Sequence, residues 1–370
     1  MNVPLLDVNA QNHPISRELR AAFDRVLETG RFIMGDEVEA FEKELGEFLG
    51  AKHAIGVSSG TDAILLALMA LGIGPGDEVI CPSFTFFATA GCIARTGATP
   101  VFCDSHPDTF NIDFASAEQC ISEKTKAIIP VHLFGQSVDM TECEIFAKKH
   151  GLRVIEDAAQ SLGAKFGDQR CGAMADFGTY SFFPSKNLGG LGDGGLLVTQ
   201  DDELADIAIK MRNHGMHPRY YHQMVGGNFR LDALQAALLR VKFSHYADYT
   251  RQRQENAAYY KEHLTDLQAI LLPIEQDGYE HIWNQFTLSV ENGRRDDLKN
   301  HLMEKGIGCE IYYPVPMHQQ ACFTHLESNQ RTSLTVTDQL ASEVLSIPVY
   351  PELERAQQDA VISALKSFNK

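Results

Sequence analysis

Short apolar runs rich in β-branched residues alternate with helical patterns through the first 200 residues of this chain. The strand-like runs lie at 78–81, 99–103, 127–131, 153–156, 179–183 and 196–198. Helical stretches such as 63–71 and 139–150 separate most of them. Strands that alternate with helices predict an α/β domain with a mostly parallel sheet. The last two runs lie close together, which leaves room for one antiparallel strand.

A different pattern fills the rest of the chain. A stretch rich in Ala, Leu and Gln, from 233 to about 263, predicts one long helix between a large and a small domain. Strand and helix candidates then follow at 283–290, 309–313, 295–305, 336–344 and 355–368. We therefore expect a large α/β domain over residues 1–245 and a smaller α+β C-terminal domain over residues 246–370.

Charge and hydropathy limit the possible partners. The formal net charge is −17 over 370 residues, which repels nucleic acid and anionic membranes, although a local positive pocket would still bind a small anion. No run approaches 18 apolar residues, and the N-terminus lacks the pattern of a signal peptide. The eight cysteines include no C-x-x-C pair and no zinc-like spacing. The sequence predicts a cytoplasmic protein without a metal site.

The first candidate for chemistry is the segment 57–63, VSSGTDA. A strand-like run enters small and hydroxylated residues, and a helical pattern leaves them. Free N–H groups at a helix start form an anion site, where Gly60 would let a phosphate approach the backbone and Thr61 would add a hydroxyl. Plain capping of the helix is the competing interpretation.

The second candidate follows the run 153–156. Asp157 is placed at the carboxyl end of a strand, where ligands of open α/β sheets bind, and Gln160 follows within one turn. The carboxylate of Asp157 would favour a protonated ring nitrogen, and Gln160 would donate to a phenolate oxygen. A helix N-cap at Asp157 explains the same residues. His132, at the end of another run, is predicted to be a satisfied core residue.

The third candidate is Lys186, which follows an aromatic run and a proline and precedes five glycines between 189 and 195. A lysine beside apolar residues can lose its charge by desolvation and become a nucleophile. A phosphate site, then an acid for a ring nitrogen, then a lysine for an aldehyde is the set of groups that pyridoxal phosphate needs.

Seven stretches occur in an order that resembles a known family. They are SGTDA (59–63), PSFTF (82–86), EDAAQ (156–160), SFFPSKN (181–187), GDGG (192–195), GNFRLD (227–232) and YYPVPMH (312–318). Over essentially its whole length the chain resembles the DegT-type (DegT/DnrJ/StrS) sugar aminotransferases. These belong to the aspartate aminotransferase superfamily, the pyridoxal-phosphate-dependent fold type I. The resemblance implies a mostly parallel mixed sheet between helices, plus a smaller C-terminal domain.

The resemblance implies a role for each matching residue. Gly60, Thr61 and Ser181 would bind the cofactor phosphate, together with Asn228 of the partner subunit in a homodimer with shared active sites. The ring contacts and the covalent bond would come from Phe86 (stacking), Asp157 (ring nitrogen), Gln160 (phenolic oxygen) and Lys186. For Phe86, a core position on a helix is the alternative.

Substrate contacts are implied for Arg230, Tyr312, Tyr313 and His318. As an alternative, Arg230 would form an ion pair with Asp232 or another local acid. The two tyrosines would, as an alternative, fill the interface of the small domain.

The function implied is transfer of an amino group, with L-glutamate as expected donor, to a nucleotide-linked keto sugar. The stretch 181–195 is closer to relatives that act on UDP-linked 3-keto hexoses than to 4-keto enzymes. Two alternatives stay open. A sugar dehydratase of this fold would carry a histidine in place of Lys186, and a non-catalytic regulatory homologue would have lost Lys186 or Asp157.

Overall fold

The computed structural model describes residues 2–368. The helices are α1 (Val8–Asn12), α2 (Ser16–Thr29), α3 (Asp36–Leu49), α4 (Gly60–Ala70), α5 (Phe87–Arg95), α6 (Phe114–Gln119), α7 (Met140–His150), α8 (Asp202–Arg212), α9 (Ala233–Ser244), α10 (Tyr246–His263), α11 (Arg295–Glu304), α12 (Thr335–Glu343) and α13 (Arg355–Phe368). The strands are β1 (His53–Val57), β2 (Glu78–Pro82), β3 (Thr99–Cys103), β4 (Thr125–Ile128), β5 (Arg153–Asp157), β6 (Lys165–Phe166), β7 (Gln169–Arg170), β8 (Phe177–Ser181), β9 (Gly195–Thr199), β10 (Ile270–Leu271), β11 (Tyr279–Glu280), β12 (Phe286–Val290) and β13 (Val344–Ile347).

A seven-stranded sheet in the order β1-β9-β8-β5-β4-β2-β3 organises the first part of the chain. The pairs from β8 to β3 are parallel, whereas β9 runs antiparallel to both β1 and β8. The alternation read from the sequence is confirmed, since each of the six predicted runs overlaps a strand of this sheet. The antiparallel strand expected from the two closely spaced last runs is β9, which pairs with β8.

Helices cover both faces of this sheet. On one face α4, α5 and α8 pack against strand residues such as Val79 and Leu197. On the other face α2, α3 and α9 pack against neighbours that include Leu196, while α6 and α7 cover Ile80. Adjacent strand residues therefore serve opposite cores, as the two-residue period of a β-strand requires. Helix α4 carries apolar residues on all sides and is buried over most of its length.

A three-stranded antiparallel sheet, β10-β12-β13, organises the C-terminal part. Helices α10, α11 and α13 pack on it around a separate apolar core that includes Tyr260, Phe286 and Leu365. Short strands β11, β6 and β7 form a small third sheet. Within residues 2–368, no helix combines the length and the apolar character needed to cross a bilayer.

The prediction of one helix from 233 to 263 is wrong, because the chain breaks it at His245. The N–H of His245 bonds the carbonyl of Lys242, three residues back, so the last turn of α9 tightens and closes. The carbonyl of His245 then accepts from Asp248 and Tyr249, which starts α10. No glycine or proline marks the junction in the sequence.

The strand predicted at 309–313 is wrong as well. Glu310 exchanges two backbone hydrogen bonds with Ser346, at 3.1 and 2.8 Å, but this bridge is isolated. The chain then leaves the sheet, and Pro314 and Pro316 carry no N–H with which to continue a ladder. The segment instead delivers two tyrosines to the site described below. Strand β13 and helices α1 to α3 were not predicted from the sequence.

Candidate active site

The sequence candidates converge at one edge of the large sheet. Strands β1, β5 and β8 run in the same direction, because β1 and β8 both lie antiparallel to β9. Their carboxyl ends therefore meet, and they lead to Gly60, Asp157 and Ser181. Ligands of open α/β sheets bind at this edge.

A cavity of about 450 Å³ opens there. Nine of the predicted residues line it: Gly60, Thr61, Phe86, Asp157, Gln160, Ser181, Lys186, Tyr312 and Tyr313. Its volume suits a small-molecule ligand, and apolar walls combined with a few converging polar groups are the usual composition of such a site.

The start of helix α4 forms one wall. Ser59 caps the helix by accepting a hydrogen bond from the N–H of Asp62 at 3.0 Å, so the capping interpretation of this segment is correct. Capping leaves the first N–H groups of the helix, those of Gly60 and Thr61, without an intrahelical acceptor. A Cβ atom at Gly60 would lie 2.7 Å from the Cβ of Ser181, so only glycine lets the helix start pack on the end of β8.

Asp157 ends strand β5, and no helix follows it, so the N-cap interpretation is wrong at this position. The carboxylate is buried, with Oδ2 accepting from the Thr89 hydroxyl at 2.8 Å and Oδ1 accepting from the Ala159 N–H at 3.2 Å. Burial raises the pKa of Asp157, while the two donors and the nearby charge of Lys186 oppose that rise.

Lys186 lies on the loop after β8. The loop is tightly closed, since the N–H of Lys186 bonds the Phe183 carbonyl at 2.8 Å and the side chain of Asn187 donates to the Ile282 carbonyl at 3.0 Å. A Cβ atom at Gly189 would lie 2.3 Å from the Pro184 carbonyl oxygen, so this turn requires glycine. Desolvation lowers the pKa of the Lys186 amine to about 8, an effect that the charge of Asp157 opposes.

Gln160 connects the sheet edge to the C-terminal part of the chain. Its Oε1 accepts from the N–H of Phe134 at 2.7 Å, and its Nε2 donates to the hydroxyl of Tyr313 at 3.0 Å. The ring of Tyr313 lies 6.0 Å from that of Phe86. Phe86 precedes α5 and exposes 55% of its surface, so it forms the wall of the cavity and is not a core residue on a helix.

Three predicted residues lie outside this cavity. Asn228 pairs with Asn213 through the backbone, and Arg230 donates to the side chain of Asn213 at 2.5 Å. Within the described residues Arg230 forms this bond to Asn213 and not the ion pair proposed as its alternative. His318 bonds the hydroxyl of Ser83 at 2.8 Å and lies 3.2 Å from a carboxylate oxygen of Asp338.

His132 is a satisfied core residue, as the sequence predicted. It is fully buried; its Nε2 lies 2.9 Å from a carboxylate oxygen of Glu156, and its Nδ1 accepts from the N–H of Val138. Glu156 also accepts from the N–H groups of Gly172 and Met174. This pair ties β5 to the loop before β8 and stands behind the wall of the cavity.

Five polar residues of the cavity were not singled out from the sequence: Ser59, Thr85, Ser185, Asp193 and Gln285. All except Gln285 fall inside the stretches that carry the family resemblance, which was the available signal. Gln285 is half-buried and lies in a part of the chain with no such motif, so no sequence signal marked it.

A larger open groove of about 790 Å³ lies at the amino edge of the parallel strands, beside α7. Its charged groups include Lys148 and Asp176, which are paired with Glu144 and Arg153 respectively. Because these charges are already neutralised, they do not converge on a ligand as the groups around Lys186 do.

Comparison with known proteins decides the family. The model of the DegT/DnrJ/EryC1/StrS aminotransferase family matches residues 14–366. The chain belongs to this family. A "Pleiotropic regulatory protein" of Geobacillus stearothermophilus is 48% identical, with 100% of this chain and 99% of the relative covered. The UDP-N-acetyl-3-dehydro-α-D-glucosamine 3-aminotransferase of Acidithiobacillus ferrooxidans is 44% identical, with 98% and 97% covered.

The fold matches solved structures of this aminotransferase family. DesV of S. venezuelae, solved in complex with a ketimine intermediate, superposes with a TM-score of 0.96 at 41% identity, over 100% of this chain and 99% of that one. The chain thus has the pyridoxal-phosphate fold type I expected from the sequence.

The residues present fit pyridoxal phosphate. The start of α4 packs closely on Ser181, and Gly60 and Thr61 at this helix start both line the cavity, which suits a phosphate. The buried acceptor Asp157 suits a protonated ring nitrogen, and Lys186 presents an amine of lowered pKa in the same cavity.

Proposed function

We propose that this protein transfers an amino group from an amino acid, with L-glutamate as the donor to test first, to a nucleotide-linked 3-keto hexose. The observation that carries the proposal is the placement of the Lys186 amine, the buried Asp157 carboxylate and the helix start at Gly60 in one cavity. The name of the Acidithiobacillus ferrooxidans relative, a 3-aminotransferase of a UDP-linked 3-dehydro sugar, supports the choice of acceptor.

The residues of this chain would divide the work. The N–H groups of Gly60 and Thr61, with the Ser181 hydroxyl, would bind the phosphate, and Phe86 would cover the ring. Asp157 would hold the ring nitrogen protonated, and Gln160 would donate its remaining amide hydrogen to the phenolic oxygen. Bound in this way, the cofactor supplies an electron sink for the carbon that gains or loses a proton.

Lys186 would have two tasks. Its amine would hold the cofactor at its aldehyde carbon, with loss of water, and once displaced by the amino donor it would carry the proton to and from the reacting carbon. A pKa lowered to about 8 leaves part of the amine neutral near neutral pH, as a base and a nucleophile both require. The cavity walls formed by Phe86, Tyr312 and Tyr313 would exclude water from these steps.

We further propose a homodimer in the cytoplasm whose two active sites are shared. Asn228 and Arg230 lie outside the cavity of their own chain, on a segment beside exposed apolar side chains. Ile33, which bridges Asp232, and Val225 expose 55% and 84% of their surface. Such a surface fits a second copy of the chain, which would place Asn228 and Arg230 at the neighbour's site.

A regulatory, non-catalytic role is the second candidate, favoured by the name of the Geobacillus stearothermophilus relative. The geometry argues against it, because a scaffold has no need of a lysine with a lowered pKa beside a buried carboxylate. The dehydratase alternative loses support in the same way, since Lys186 is present.

The visible absorption spectrum tests these possibilities. We expect the purified protein, after incubation with pyridoxal phosphate, to show the band of a lysine–cofactor bond. That band should bleach when L-glutamate is added without an acceptor, and a UDP- or dTDP-linked 3-keto hexose should restore it. The Lys186→Ala variant is the matched control. A scaffold would give no band, and a band that ignores glutamate would require another donor or another reaction.

A further inference from the structure

Thr89 stands behind the cofactor side of the cavity and has a contact that the sequence did not predict. It lies on α5, and its hydroxyl is 2.8 Å from Oδ2 of Asp157. A second hydroxyl, that of Thr85, lies 3.2 Å from the same Oγ1 atom. Both threonines are buried, and Thr85 also lines the cavity.

The proton count fixes the direction of both hydrogen bonds. An ionised carboxylate can only accept hydrogen bonds, so Thr89 donates its single hydroxyl proton to Asp157. Thr89 can then only accept from Thr85. The three groups form a one-way chain from the wall of the cavity to the carboxylate, and hydroxyls in such a chain strengthen one another as donors.

This contact is not the usual one for a threonine on a helix. A helical threonine commonly returns its hydroxyl to a backbone carbonyl three or four residues earlier. Here the hydroxyl of Thr89 is directed to a carboxylate 68 residues away in the sequence. The hydroxyl of Thr89 therefore donates to a residue of β5 and not to the backbone of its own helix.

The carboxylate needs such a donor. Burial favours the neutral acid. In the neutral acid one carboxyl oxygen carries a proton, and that oxygen could not accept a hydrogen bond from a protonated ring nitrogen. The Ala159 N–H on Oδ1 and the Thr89 hydroxyl on Oδ2 favour the ionised form, as does the charge of Lys186. One donor on each oxygen also fixes the rotation of the carboxylate.

We propose that Thr89 is a positioning residue that keeps Asp157 ionised and oriented toward the cofactor, with Thr85 as its supporting donor. This inference rests on the proposed function, because it presumes that Asp157 meets a ring nitrogen.

The test measures cofactor binding directly. In the Lys186→Ala background, where no covalent bond forms, the dissociation constant for pyridoxal phosphate is determined for Thr89→Val and Thr89→Ser. Valine matches threonine in shape without a hydroxyl, so we expect affinity to fall about tenfold or more, the usual scale for a hydrogen bond to a charged group. Serine should restore it to within about threefold of the parent.

A spectroscopic measurement separates positioning from packing. With Lys186 present, Thr89→Val should shift the pH midpoint of the visible band, and Thr89→Ser should not. Thr337→Val is the matched control, since Thr337 is buried and its hydroxyl has no partner within the described residues. If the valine variant folds poorly, Thr89→Ala carries the same expectation.

Two results would contradict the proposals, and they differ. If Asp157→Asn weakens cofactor binding while Thr89→Val and Thr89→Ala do not, the inference about Thr89 is wrong and the proposed function stands. If Asp157→Asn changes neither binding nor spectrum, the assignment of Asp157 in the proposed function fails first.

Discussion

Gln160 donates a hydrogen bond from its Nε2 to the hydroxyl of Tyr313 across 3.0 Å. The bond joins the edge of the large sheet to a segment that follows the small sheet's bridge at Glu310. The Oε1 atom of Gln160 is already held by the N–H of Phe134, which fixes the orientation of the amide. The hydroxyl proton of Tyr313 is then free to be donated into the cavity.

Removal of that hydroxyl should affect turnover more than folding. In Tyr313→Phe the ring still packs against Phe84 and Phe86, so cofactor binding should be nearly unchanged. Loss of one hydrogen bond of about 1 kcal/mol predicts a fall of roughly fivefold in kcat/KM for the sugar acceptor. Steady-state kinetics with varied acceptor measures it. Tyr259→Phe, which removes a hydroxyl bonded to Asp359 far from the cavity, should have no effect.

Lys186→Ala should abolish turnover and leave the cofactor bound only non-covalently. No other amine among the residues that line the cavity can take its place. The measurement is the single-turnover conversion of the cofactor with glutamate. Lys148→Ala, which removes an exposed amine paired with Glu144, is the control and should behave as the parent protein. Retained turnover in the Lys186 variant would refute the assignment of the whole site.

The rate at which the protein without cofactor captures pyridoxal phosphate should depend on pH through Lys186. Desolvation lowers the pKa of this amine to about 8, and only the neutral amine attacks an aldehyde. The rate should therefore rise as the pH increases and level off above about 8. Asp157→Asn removes a charge that raises this pKa, so its midpoint should lie at lower pH. Stopped-flow absorbance gives both profiles, and a midpoint near 10.5, the ordinary value for lysine, would contradict the desolvated environment.

Asp157→Asn should preserve the fold and lower kcat by roughly two orders of magnitude, the scale expected for one aimed electrostatic partner. The asparagine keeps the shape but loses the charge that would hold a ring nitrogen protonated. Circular dichroism checks the fold, and steady-state kinetics checks the rate. An unchanged rate would mean that another group stabilises the ring nitrogen.

The alternation of short apolar runs and helical patterns was enough to predict the large sheet, because most residues of its strands are buried and the strands read as short, largely apolar runs. The break at His245 was not predictable, since it depends on a tight hydrogen bond to Lys242 and not on a helix-breaking residue. The segment 309–313 looks like a strand by composition, yet tertiary context directs it to the cavity.

Within the site, the residues that local motifs singled out lie together in one cavity, and their roles stay predictions. Gly60, Asp157 and Lys186 each lie at or shortly after the carboxyl end of a strand of the same sheet, so topology brings them together. Thr89 was missed because its partner is 68 residues away, and no local pattern specifies such a contact. Asn228 lies outside the cavity of its own chain, so its proposed role depends on a second chain, and no local sequence pattern specifies such a contact.

Gly60→Ala should weaken cofactor binding through backbone displacement. The added Cβ would meet the Cβ of Ser181 at 2.7 Å, so the start of α4 must move away from β8. That movement would displace the N–H groups proposed to bind the phosphate, and we expect affinity for pyridoxal phosphate to fall about tenfold or more. Gly74→Ala is the control, because its nearest contact would be an ordinary 3.9 Å. Equal affinities, measured by equilibrium dialysis, would remove α4 from the phosphate site.

The proposed sharing of active sites between two chains predicts complementation. Lys186→Ala and Asn228→Ala should each be inactive or nearly so as pure proteins, the first for lack of the amine and the second for lack of a phosphate contact from the neighbour. When the two are unfolded together and refolded, half of the dimers should be mixed, and each mixed dimer would contain one intact site. Activity should then recover to about a quarter of the parent value. If Asn228 acted within its own chain, a mixed dimer would carry one defect in each site, and activity would not recover.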